Sequence, residues 1–111
     1  MNTQVFGPYK YSAKEWFGSE GMTTGQSYNL QIQFDKYNLI AGAAVAVTAN
    51  SMATGGLAVP TAVMARDVYV ETDRSHDGDI INENYLLWMT LVNTGVNPVD
   101  EIFLYVAVMQ P

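Results

Sequence analysis

The chain has 111 residues, no cysteine, 49% hydrophobic and 14% charged residues, and a formal net charge of −6. That length makes one ordinary domain with enough apolar side chains for a core, and it excludes disulfides and thiolate metal sites. An acidic chain without a basic stripe lacks the contacts that supply most nucleic-acid affinity. It is equally unsuited to anionic membranes by charge.

Charged residues fall well below the roughly 25% of an average domain, so the surface is polar mainly through amides and hydroxyls, or is covered by partners. The charge is unevenly placed. Residues 1–66 carry Lys10, Lys14, Lys36 and Arg66 against Glu15, Glu20 and Asp35, whereas residues 67–101 carry eight carboxylates against Arg74 alone. The N-terminal residues lack the basic segment and apolar stretch of a signal peptide. The apolar runs Leu39–Val47 and Leu57–Ala65 are too short to span a bilayer. The expectation is a protein of the cytoplasm, or one packaged from there into a virion, with no membrane and no nucleic acid among its partners.

In chain order, residues 1–26 read as an irregular arm broken by Gly7, Pro8, Gly18, Gly21 and Gly25. Within it Ser12-Ala13-Lys14-Glu15 fits a capping box and Gly18 a stop, which allows one helical turn. Its aromatics Phe6, Tyr9, Tyr11, Trp16 and Phe17 either lie on another surface or cap the domain's own core, since ordering such a segment requires burial. Residues 27–111 read as the folded domain. Tyr28, Leu30, Ile32 and Phe34 alternate with polar residues, as in a half-buried strand. Leu39 to Thr48 predicts a second strand, rich in small residues. Asn50-Ser51 and Gly55-Gly56 read as breakers. Leu57 to Ala65 reads as an extended segment where Pro60 implies an edge or bend. Asp67–Glu71 predicts a strand and 72–84 an acidic loop.

The last quarter holds two runs that are apolar on both faces, Tyr85–Val92 and Ile102–Met109. A strand covered on one side alternates apolar with polar, so something covers the second side of these, and another subunit is the natural candidate. Trp88, Phe103 and Tyr105 are therefore candidate interface residues, with Trp16 and Phe17 on the arm. About six or seven short strands and no amphipathic helix predict an all-β, antiparallel β-sandwich. The strand–Asn93-Thr94-Gly95–strand pattern resembles a hairpin of immunoglobulin-like or jelly-roll sandwiches.

For chemistry, the segment 73–84 resembles the start of an EF-hand-type calcium loop. Asp73, Ser75, Asp77 and Asp79 supply oxygens and Gly78 a turn, but Asn84 stands where the bidentate acid belongs. A plain acidic loop turning at Asp77-Gly78 fits as well. No cofactor other than calcium is implied. His76, the one histidine, has no Gly-x-Ser-x-Gly elbow beside it, and adjacent Asp100 and Glu101 point to opposite faces of a strand and cannot act as a pair. Trp16 and Tyr37 are candidates for a sugar platform. These features predict a non-enzymatic structural protein that forms a symmetric oligomer, in a compositional style similar to bacteriophage capsid-decoration, head–tail and tail-fibre proteins. The alternative is a carbohydrate-binding or calcium-dependent adhesion module.

Overall fold

The computed structural model describes residues 2–35, 42–53, 55 and 57–111. Six strands and one helical turn follow in the order β1 (Thr3–Ser12), α1 (Ala13–Phe17), β2 (Ser27–Asp35), β3 (Ala44–Ala53), β4 (Val63–Asp77), β5 (Ile80–Asn93) and β6 (Val99–Met109). They form two three-stranded antiparallel sheets, β1-β6-β3 and β2-β5-β4. The fold is an all-β sandwich.

β5 and β6 are the central strands of the two sheets. Leu87, Met89 and Leu91 of β5 and Ile102, Leu104, Val106 and Val108 of β6 are almost wholly buried and face one another across the core. Leu30, Ile32 and Phe34 of β2 complete it, in the alternation the sequence predicts. This accounts for half of the two-sided apolar pattern. The inner side chains make the core, and the outer ones, Leu86, Trp88, Phe103 and Ala107 among them, are half-buried between neighbouring strands.

The structure differs from the sequence reading first at the N-terminus and at the link between the last two strands. Residues 3–12 are a strand rather than part of an irregular arm. β1 pairs with β6 from Thr3↔Met109 to Ser12↔Glu101, shifting register around Gly7-Pro8, which is a cis peptide. Phe6, Tyr9 and Tyr11 of β1 pack against the domain's own core. Phe6 and Tyr9 set their rings edge-on to Phe34 at 5.4 and 6.3 Å. β5 and β6, in turn, are not a hairpin, because they lie in opposite sheets. Asn93 is the reason. Only 1% exposed, its amide donates to the carbonyls of Met22 (2.7 Å) and Asn97 (3.0 Å) and accepts from the Gly95 N–H (2.9 Å). A buried amide with its hydrogen bonds met fixes the chain around it, so residues 94–98 arch from one sheet to the other.

The predicted breaker Asn50-Ser51 lies inside β3, where a sheet edge tolerates it. Ser51 is tied to Thr61 through its hydroxyl at 2.9 Å. The predicted strand from Leu39 begins at Ala44 within the described residues, with Leu39, Ile40 and Ala41 outside them. α1 forms over one turn as expected, but Ser12 does not cap it. Its hydroxyl donates instead to Asp100 at 3.1 Å.

The acidic segment 72–84 is a ribbon, not a loop. β4 and β5 pair continuously from Tyr69↔Trp88 to Asp77↔Ile80, and Gly78-Asp79 closes the turn. Gly78 at φ 63 supplies the positive φ that a two-residue hairpin turn needs at its first central position. β2 accompanies β5 only as far as Asp35↔Asn84. Beyond that point the described residues of the ribbon are the two strands β4 and β5, with Ile80 and Ile81 exposed near its tip.

Candidate functional site

The outer faces of the two sheets differ in chemistry. On β1-β6-β3 the ladder aligns Val5, Ala107 and Ala46, then Tyr105 and Thr48, then Lys10, Phe103 and Asn50. Val5 is 62% exposed, Met52 46% and Tyr105 40%, and Ala44, Ala46 and Thr48 are exposed beside them. The charges in these rows, Lys10 and Glu101, pair at 3.3 Å, and the Lys10 ammonium lies 5.8 Å from the Phe103 ring centre. The face is therefore electrically neutral and largely apolar on a chain that carries −6 overall.

The outer face of β2-β5-β4 carries amides and carboxylates around an aromatic pair. Gln31, Trp88 and Tyr69 stand in one row, flanked by Asn29, Thr90 and Arg66 on one side and Gln33, Leu86 and Glu71 on the other. The Tyr69 and Trp88 rings are nearly parallel, 17° apart with centres 6.4 Å from each other.

The expected interface residues thus do not form one patch. Phe103 and Tyr105 share the neutral face, whereas Trp88 lies on the opposite sheet. Trp16 and Phe17 pack on Tyr28 of their own chain, Trp16 with ring centres 3.9 Å apart and planes 2° apart, Phe17 edge-on at 6.3 Å. They pack against the core, and one face of the Trp16 ring is taken up by Tyr28. Tyr37 lies outside the described residues.

Asp73, Ser75 and Asp77 alternate along the extended strand β4, with Asp79 in the turn. Same-face neighbours on a strand stand about 6.8 Å apart, too far to converge on one ion as a tightly turning calcium loop makes its oxygens do. Among the described residues no group of three or more His, Asp or Glu side chains could hold a metal. Arg74, in the same ribbon, is held by Glu83 across the ladder, its Nε donating at 2.9 Å. His76 is exposed opposite Ile81.

A cavity of about 440 Å³ lies at the arch end of the sandwich, lined by Leu57, Val59, Ala53 and Pro98 with Glu20, Thr23 and Asn97 at its polar margin. Ser19 also lines it, and among the described residues no side-chain hydrogen bond joins Glu20 to the Ser19 or Thr23 hydroxyl. No helix among the described residues is long and apolar enough to cross a membrane.

Alternation in β3 and β6 could have revealed the neutral face, because Ala44, Ala46 and Thr48 are spaced by two. The amide face was legible in Asn29, Gln31 and Gln33, but its aromatic partner Tyr69 comes from another strand. No protein-family model matches the chain, nor does any curated protein or solved structure.

Proposed function

We propose that this protein is a non-enzymatic assembly component that forms a symmetric homo-oligomer, packing the outer face of β1-β6-β3 against the same face of a second copy. The observation that carries this reading is the neutrality of that face. Its ladder rows present Val5, Ala46, Tyr105, Ala107 and Met109, with Lys10 and Glu101 compensating each other. Copies that each carry −6 repel one another, so they approach at least cost where the local charge is zero. Small side chains in alternation let two sheets stack at the usual ~10 Å separation. A two-fold contact of this kind uses the same patch on both subunits and closes.

The ribbon supports the same reading. Among the described residues the outer edge of β4 in the ribbon has no strand beside it, and such an edge is a template for pairing with another chain. In an assembly, the ribbon would reach beyond the dimer to a further subunit, as in virion shells and tubes, the setting the composition favours. Native mass measurement at tens of micromolar tests the proposal. A closed multiple of 12.2 kDa is expected, and a uniform monomer contradicts it.

A further inference from the structure

We infer that the outer face of β2-β5-β4 is a binding surface for a neutral glycan, with Tyr69, Trp88 and Gln31 as its central row. This is independent of the assembly contact, which uses the opposite sheet.

The argument begins with the grid of side chains. Strands about 4.8 Å apart and same-face residues about 6.8 Å apart make the three rows from Asn29–Arg66 to Gln33–Glu71 a patch of about 10 by 14 Å. The centre is aromatic. Tyr69 is 54% exposed, and its ring is steadied by the near-parallel Trp88 indole. Sugar rings carry apolar C–H faces that lie on aromatic surfaces, and a ring already held in place loses little freedom when a ligand covers it.

The rim has the complementary chemistry. Gln31 and Gln33 are exposed side-chain amides, each with donors and an acceptor suited to vicinal hydroxyls. Among the described residues neither amide, nor the Glu71 carboxylate, is taken up by a side-chain hydrogen bond or ion pair. Asn29, by contrast, already accepts from Thr90 at 2.9 Å and so helps hold the surface in shape.

Charge selects the class of glycan. Arg66 and Glu71 balance within the grid, and Arg66 is drawn toward Asp67 at 3.7 Å. Beyond Glu71 the ribbon continues with Asp73 and Asp77. Among the described residues no cation of this face is left without an acidic neighbour, and the net charge of −6 disfavours a sulfate or sialic carboxylate.

The test is a printed array of neutral, sialylated and sulfated oligosaccharides probed with the labelled full chain, followed by calorimetric titration of the strongest neutral oligosaccharide. Neutral glycans should be retained in preference to acidic ones. Tyr69→Ala and Gln31→Ala, both exposed positions, should each weaken binding by roughly tenfold while the protein still melts cooperatively, and Met52→Ala on the other sheet should bind as the wild type does. Retention of no neutral glycan, a preference for acidic glycans, or binding that survives Tyr69→Ala would each overturn the inference.

Discussion

Lys10 and Glu101 neutralise each other across the β1–β6 ladder, Nζ to Oε1 at 3.3 Å, on the face that is otherwise apolar. Lys10 also overlies the Phe103 ring. Alone in solvent such a pair contributes little, about 0–1 kcal/mol. Beneath a second copy it matters more, because an unpaired charge at an interface must be desolvated without compensation. Glu101→Gln is therefore expected to weaken self-association by about fivefold, or ~1 kcal/mol. The double variant Lys10→Met/Glu101→Gln should recover it. A sedimentation-equilibrium series of the three proteins measures the coupling.

The aromatic N-terminal segment belongs to the fold. Trp16→Ala should destabilise the protein by about 2 kcal/mol, below the ~3–5 kcal/mol of a fully buried aromatic, because Trp16 is half-buried on Tyr28. Deletion of residues 2–12 removes β1 and uncovers one whole edge of β6, and it should abolish the near-ultraviolet circular dichroism of the folded state. A truncated protein that still melts cooperatively near the wild-type temperature would show that β1 is dispensable.

Two glycines that both have positive φ should respond differently to a methyl group. Gly21 has φ 69 and Gly25 has φ 84. A Cβ at Gly21 would lie 2.5 Å from the Val99 carbonyl oxygen, whereas one at Gly25 meets nothing within 4 Å. Gly25→Ala is expected to cost only the left-handed strain, about 1 kcal/mol. Gly21→Ala adds displacement of the Met22–Val99 bridge, held by bonds of 2.9 and 3.0 Å, and should cost more than twice as much. Urea melts of both variants compare them directly, and equal losses would mean that the bridge moves freely.

Alkaline pH should unfold this protein earlier than its composition suggests. Burial raises the Tyr9 phenol above its ordinary 10.0, and burial followed by the neighbouring Tyr9 raises Tyr11. The unfolded chain therefore releases these protons first. Their contribution to stability is complete below pH 10 and is lost as the pH rises through the raised folded values. Tyr11→Phe should flatten the fall of melting temperature above pH 10, and an unchanged slope would place the responsible groups elsewhere.

The fold class was legible because β2 alternates strictly and because β5 and β6 are continuously apolar. Their role as central strands was not, since a strand covered by its neighbours and by a facing sheet carries the same pattern as one covered by a subunit. The arch reads as a hairpin in the sequence because Asn93-Thr94-Gly95 has turn chemistry. What decides the matter is where the Asn93 amide finds its partners, and one of them, Met22, is far away in sequence. β1 was hidden by Gly7 and Pro8, which break its period yet sit at a register shift that accommodates them. The ribbon was hidden by its polar residues, since a solvated hairpin needs no alternation. Of the candidate surface, Tyr105 and Phe103 could be named from their strand, but the neutrality of their face depends on Lys10 meeting Glu101 from the other end of the chain.

The most direct measurement places one negative charge on each outer face in turn. Tyr105→Glu and Tyr69→Glu alter exposed tyrosines on opposite sheets, and sedimentation equilibrium reads the mass of each variant beside the wild type. The account predicts an oligomeric wild type, an oligomeric Tyr69→Glu variant, and a folded Tyr105→Glu monomer of about 12.2 kDa. A monomeric wild type, or dissociation by Tyr69→Glu with Tyr105→Glu still assembled, would contradict it.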